Sequence, residues 1–327
     1  MMVNETLAQF GDWTYGATVL VYVLAMALAL LEQAFSRAET KRVAARKLAT
    51  VGAPSVNAPS GDEPLEPAIG LRPRDERDKW ERYGRMGAAL MILGAALHFS
   101  SLVLRGLAVG RVPWGNMYEY MSAVCLVAVV TWVVLMRKFP VRRLSVFVML
   151  PIVILMFLGG TLLYSEAAPL QPALRSYWII IHVAAAIIAS GLFLVPGVAS
   201  ILYLIRNRYD QDQAKFVRLG TRLPAADVLD RVAYRTTIIA FPIFTFGVIC
   251  GGIWAEAAWG RFWGWDPKET VAFIAWVVYA AYLHSRATAG WRGRRAAWIN
   301  ILGFSATVFN LFFVNLVTVG LHSYANG

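Results

Sequence analysis

Apolar residues along this chain gather into eight runs separated by polar, charge-bearing stretches. A helix needs about 20 mostly apolar residues to cross the hydrocarbon core of a bilayer. The runs are Trp13 to Phe35, Met86 to Leu107, Met117 to Met136, Leu144 to Tyr164, Tyr177 to Ile205, Thr236 to Trp254, Pro267 to His284 and Ala296 to Gly320. The seventh is the shortest. The pattern predicts an all-α, polytopic membrane protein with about eight transmembrane helices. The polar stretch 36–85 is expected to be a flexible basic loop, because APSVNAPSGDEPLEP (Ala53 to Pro67) has little to bury. RPRDERDKWERYGR after it predicts a surface helix leading into the second run. In the polar stretch 206–235, LPAADVLDR predicts a short helix with Asp227 near its start. Three segments follow: a first transmembrane helix (1–35), the loop (36–85) and a membrane domain (86–327) carrying a tryptophan-rich segment at 254–269.

Composition agrees with the runs. Of 327 residues, 58% are hydrophobic, against roughly 45–50% in soluble domains. The net charge of +11 would suggest nucleic acid, but its distribution rejects that. Stretches 36–85, 137–143, 206–235 and 286–295 hold 26 of the 31 Lys and Arg. All four fall on one side of an eight-span topology. The positive-inside rule makes that side cytoplasmic and puts both termini, and the tryptophan segment, outside. The basic excess is therefore topology, with some contact to anionic membrane lipid. Residues 1–12 hold no Lys or Arg, while Glu5 and Asp12 sit where a basic leader region would be, so the first run is expected to be a retained helix. Cys125 and Cys250 lie inside runs, with no C-x-x-C and no C-x-x-C-H, so neither a redox dithiol nor a c-type haem site belongs to the chain itself.

The segment WGRFWGWDPKET (Trp259 to Thr270) is the densest chemical signal. Asp266, Pro267 and Glu269 form a helix start: N-cap, N1 proline and capping-box acid. That leaves the tryptophans unexplained. Tryptophan favours the bilayer interface, but Trp254, Trp259, Trp263 and Trp265 crowd together around Gly264, as a platform for a large flat ligand would. All four histidines lie on apolar segments, where ionisable groups are costly and usually functional. The topology brings His182 and His322 to the outer surface with the tryptophans. Two imidazoles on opposite faces of an iron make a six-coordinate haem, so haem is the natural ligand. His98 and His284 form a second set, but at about 1.5 Å per residue they stand at different depths. Arg105, about two turns beyond His98, has two readings: a side chain reaching back to the interface, or a partner for a haem propionate. Glu119, in PWGNMYEY, reads equally as an acid in the first turn of the third helix or as part of the site.

These residues together resemble the integral-membrane subunit of the System II cytochrome c synthase (CcsA/ResC type), within the haem-handling superfamily marked by a "WWD" segment. WGRFWGWDPKET, LHFSSLVLRG, PWGNMYEY, YWIIIHV, YLHSR and GLHSYA carry the resemblance, from about residue 84 to the C-terminus. It implies that His182 and His322 are the external haem-iron ligands and that His98 and His284 are a pair within the membrane. It also implies haem b as substrate, brought to the outer face of the bacterial cytoplasmic membrane and joined by thioether bonds to C-x-x-C-H apocytochromes. A partner subunit with a large external domain (CcsB/ResB type) and a thiol-reducing protein are implied as well. Two alternatives stand beside it: a haem exporter or chaperone without synthase chemistry, and a small-solute transporter, which would be expected to show repeats and broken helices.

Overall fold

The computed structural model describes residues 3–51, 74–170, 176–288, 290–318 and 320–321. Among them every regular element is helical: α1 (Glu5–Val51), α2 (Arg74–Val109), α3 (Met117–Lys138), a 3₁₀ turn (Arg142–Leu144), α4 (Ser145–Leu162), α5 (Tyr177–Gln211), the short α6 (Val217–Gly220), α7 (Ala226–Trp259), α8 (Pro267–Ala287) and α9 (Arg294–Phe309), which runs on into a π-turn (Asn310–Val314).

Seven of these helices are long and apolar enough to cross a membrane. The exception among the eight expected spans is α8. Lys268 and Glu269 open it, and His284 and Arg286 close it, so its apolar middle is too short. It nevertheless packs against α9. Lys268 at its start meets Asn315 beyond α9, so the two helices run antiparallel. The structure also moves several helix ends. Helix α1 continues past the first apolar run to Val51, while α2 opens at Arg74, within the surface helix expected over RPRDERDKWERYGR. Polar residues expected in a loop are thus the ends of long helices; Ala53 to Pro67 lie outside the described residues. LPAADVLDR is likewise not a separate short helix but the approach to and first turns of α7. Apolarity marks the bilayer, and the hydrogen-bonded helix continues beyond it.

The bundle carries polar groups inside and apolar groups outside, as lipid demands. Leu20, Ile239, Phe246, Ile249 and Leu302 are exposed, whereas Thr18, His98, Glu119 and Asn300 are buried. Those buried groups find polar partners, although the Asn300 side-chain oxygen accepts no hydrogen bond among the described residues. Asn300 of α9 donates to Ser200 of α5 at 2.8 Å, and Trp132 of α3 donates through Nε1 to Ser145 of α4 at 3.0 Å. Helix α5 is central and touches α3, α4, α7 and α9. The main core, including Met121, Trp132, Met149, Ile152 and Leu194, lies around α3, α4 and α5. Small residues set the closest approaches: a Cβ on Gly191 of α5 would come within 2.7 Å of the Val124 carbonyl of α3.

The bundle has two chemically distinct ends. One holds the starts of α3 and α8 and the end of α7; we call it the tryptophan end. The other, about 33 Å away along α3, is fastened by arginines. There Arg142 pairs with Glu32 at 2.6 Å, and Arg286 grips Asp230 with two bonds of 2.7 Å, joining α8 to α7.

Candidate functional site

A cavity opens at the tryptophan end between α3, α5, α7, α8 and the residues after α9. It is open to solvent at its mouth, and the empty space counted with that opening is about 1430 Å³. Its walls are mainly apolar and aromatic, with Trp114, Tyr120, Trp254, Phe262 and Trp263 among them. A few polar groups interrupt them: His182, Asn116, Lys268, Asn310 and Asn315.

His182 is set by a close contact between α5 and α7. Its Nδ1 donates to the Gly247 carbonyl at 2.7 Å, because a carbonyl oxygen can only accept. The hydrogen is then on Nδ1, and Nε2 keeps a free lone pair. A backbone carbonyl holding the far nitrogen is the usual support for a metal-ligating imidazole. Gly251, one turn on, makes room for the ring, since a Cβ there would fall 2.6 Å from Cε1 and Nδ1. The spacing Gly-x-x-x-Gly over 247–251 is a familiar device of close membrane-helix contact. It is the signal in the sequence that could have found this pair.

The tryptophan segment begins where α7 stops at Gly260, in the left-handed conformation (φ 69°), a standard helix end. It ends at the N-cap of α8, where the expected capping box is present. The four tryptophans do not form one stacked platform. They pair edge to face: Trp254 with Trp259 (4.6 Å, 67°) and Trp263 with Trp265 (5.7 Å, 89°). Trp254 and Trp263 line the cavity, and Trp259 and Trp265 do not. Trp259 instead lies under the Arg261 guanidinium. Trp265 is 68% exposed and has φ 58°, a costly backbone for a bulky residue. Nor does Gly264 give room to a ligand. Arg261 lies against its Cα, and its N–H donates to Glu269 at 2.9 Å.

Asp266 does more than cap. One oxygen accepts from the Lys268 N–H at 3.1 Å and the other from the Leu321 N–H at 2.8 Å. It thereby ties the tryptophan segment to the end of the described chain. His322, the next residue in sequence, lies outside the described residues.

His98 and His284 are not brought together. His98 is fully buried among α1, α2 and α3, with both nitrogens engaged: Tyr22 hydroxyl at 3.3 Å and Ser122 hydroxyl at 2.9 Å. His284 is exposed in the last turn of α8. Arg105 neither reaches back to the interface nor enters the cavity. It is 3% exposed and shared among Glu119 (2.9 Å), Asp12 (3.3 Å) and the Ser165 carbonyl, over the face of Tyr118. Glu119, completely buried, also takes Arg111 at 2.7 Å and the Gly115 N–H at 2.7 Å. Opposite charges from α1, α2 and α3 thus lock one another beside the cavity, and Glu119 stands in the first turn of α3, as one of its two readings expected, with Asn116 as the cap.

A family model described as cytochrome C assembly protein matches residues 114–322. The chain belongs to the cytochrome c assembly protein family. The matched range contains the whole cavity lining, the tryptophan segment, His182, His284 and His322; His98 and Arg105 precede it. Among its relatives is the cytochrome c biogenesis protein CcsA of Parasynechococcus marenigrum (strain WH8102). It is 33% identical over 258 residues, covering 72% of this chain and 85% of that protein. CcsA of Trieres chinensis is 33% identical over 279 residues, covering 75% and 88%. In fold, the chain is similar to the solved cytochrome c haem lyase CcmF, with a TM-score of 0.59 and 16% identity. The match covers 99% of this chain and 49% of that one, so the chain spans about half of that structure. The protein is therefore an integral membrane protein of the CcsA type, acting in cytochrome c biogenesis with haem handling.

Proposed function

We propose that the cavity at the tryptophan end holds haem b as substrate and presents it for covalent attachment to apocytochrome c. The observation that carries this reading is His182: an imidazole fixed through Nδ1, with Nε2 free, on the wall of a large aromatic cavity. In this reading His182 and His322 hold the iron from its two faces, and Trp254 and Trp263 bound the ring and exclude water. Each thiol of a C-x-x-C-H segment adds its S–H across a vinyl C=C. Sulfur bonds to the carbon next to the ring and hydrogen goes to the terminal carbon, so no oxidant is consumed. The substrate supplies both nucleophiles. The protein's contribution is position, which is where aligned intramolecular reactions gain most. The peptide's own histidine then replaces one axial imidazole.

Several features of this function fall to others. The chain has no C-x-x-C, so a thiol-reducing protein keeps the substrate cysteines reduced, and a partner subunit with a large external domain (CcsB/ResB type) completes the synthase. The distribution of Lys and Arg supports a bacterial cytoplasmic membrane with the tryptophan end outside. His98 and His284, standing apart, are proposed as separate stations rather than one iron site.

The test is the purified protein's absorption spectrum together with covalent haem on a co-expressed C-x-x-C-H peptide. His182→Gly should lose most of the haem band and all covalent product, and added imidazole should restore part of both. A full haem band in His182→Gly would refute the assignment. Haem bound normally with no covalent product, even with the partner subunit present, would favour the exporter reading.

A further inference from the structure

Lys268 is the one cation on the cavity wall among the described residues. Its ammonium donates to the amide oxygen of Asn315, a neutral acceptor. No carboxylate of the described residues lies within ion-pair distance of it, and the two nearest in sequence are already committed. Asp266 accepts from two backbone N–H groups, those of Lys268 and Leu321. Glu269, which also reaches the wall, holds Arg261 at 3.3 Å and accepts from Gly264 and Asp266. Asn315 is not free to move away either. Its amide donates to the Asn310 and Leu311 carbonyls released by the π-turn. The ammonium is thus held in place at the edge of an apolar cavity with no carboxylate of the described residues at ion-pair distance. Of its three donors, one is used.

We propose that Lys268 binds a propionate of the haem. This rests on the haem reading above. Its consequence is geometrical. Two axial imidazoles define an axis through the iron and leave the macrocycle free to turn about it. A charge off that axis fixes the turn. Haem b carries its two propionates along one edge and its vinyls elsewhere on the ring. Anchoring a propionate at Lys268 therefore points the vinyl edge away from Lys268. Ammonium–carboxylate hydrogen bonds are among the stronger ones available, and a water-poor wall strengthens them further.

The experiment titrates the purified full-length protein with iron protoporphyrin IX and, separately, with its dimethyl ester, which keeps iron, ring and vinyls but carries no propionate charge. Wild type should bind the diacid at least tenfold more tightly than the ester. Lys268→Met should lower the diacid affinity to that of the ester and leave the ester unchanged, while Lys268→Arg keeps most of the preference. His182→Gly should weaken both ligands by similar factors. Equal affinity of wild type for diacid and ester would overturn the proposal without any variant. So would a Lys268→Met protein that loses diacid and ester alike, since that describes a structural lysine. Failure of wild type to bind either porphyrin would refute the haem reading itself, a result distinct from both.

Discussion

The imidazole of His182 packs against Gly251, where a Cβ would fall 2.6 Å from its Cε1 and Nδ1, too close to be accommodated. Position 251 is therefore expected to control the ligand without touching it. Gly251→Ala should push the ring from its place against Gly247 and weaken haem binding about tenfold or more. Overpacking of this kind costs roughly 1–3 kcal/mol, and 1.4 kcal/mol is one decade. Alanine is the better helix former by about 1 kcal/mol, which offsets part of that cost, so thermal stability should fall only modestly. Gly16→Ala in α1, where an added Cβ meets nothing within 4 Å and which is not part of the cavity wall, is the control. Haem titration and melting of the two variants decide the matter; equal haem affinity in both would show that the contact does not position His182.

Trp263 and Trp265 should separate. Trp263 lines the cavity and Trp265 does not, so Trp263→Ala is expected to lower haem occupancy several-fold, while Trp265→Ala changes it little. Trp265→Gly should even relieve backbone strain of about 1–2 kcal/mol and raise the melting temperature. If both losses reduce haem equally at equal protein level, the ring pair acts as a unit and the assignment by lining is wrong.

Glu119→Gln should be costly to folding, although Glu119 does not itself line the cavity. It keeps the shape, leaves Arg111 buried without its counter-charge, and leaves Arg105 only Asp12. Losing one member of a buried ion pair costs about 3–5 kcal/mol. A large fall in thermal stability is expected, with partial recovery in Glu119→Gln, Arg111→Met, which removes one of the stranded charges. A melting temperature unchanged from wild type would show that the network is not fully desolvated.

Asp266 joins two functions that can be pulled apart. Asp266→Ser keeps a capping oxygen for Lys268 but has none left for Leu321. Amide exchange through 316–321 should quicken in Asp266→Ser and Asp266→Ala alike. Only the alanine variant should also fray the first turn of α8, at roughly 0.5–2 kcal/mol for a lost cap. Exchange as slow as wild type in both would mean the tether to Leu321 contributes nothing.

The sequence made some of this legible and hid the rest for physical reasons. The apolar runs located the membrane helices because lipid imposes length and apolarity on each span separately. They misplaced the ends of α1, α2 and α7, since polar helix beyond the bilayer leaves no apolar trace. The capping box at Asp266 and Glu269 was readable because its partners lie within one turn. The roles of Arg105 and Glu119 were not. One of their partners, Asp12, is 93 residues from Arg105, and no local pattern announces a pairing of that separation. The tryptophans were visible as a cluster, but which rings face inward depends on the left-handed turns at Gly260 and Trp265, and composition says nothing about those.

The π-turn at Asn310–Val314 has a consequence for everything that follows it. A π-turn inserts one residue into the helical winding, so the chain beyond it is rotated by about 100° relative to the face that α9 presents. Asn315 meets Lys268 only because of that added twist. Deleting one residue within 311–313 would restore ordinary winding and swing Asn315 toward a different neighbour, with the Asp266–Leu321 tether pulled along. The turn works as an indexing notch: a single residue's worth of rotation aims the chain's last described stretch back at the tryptophan end, where straight α-helix would aim it elsewhere.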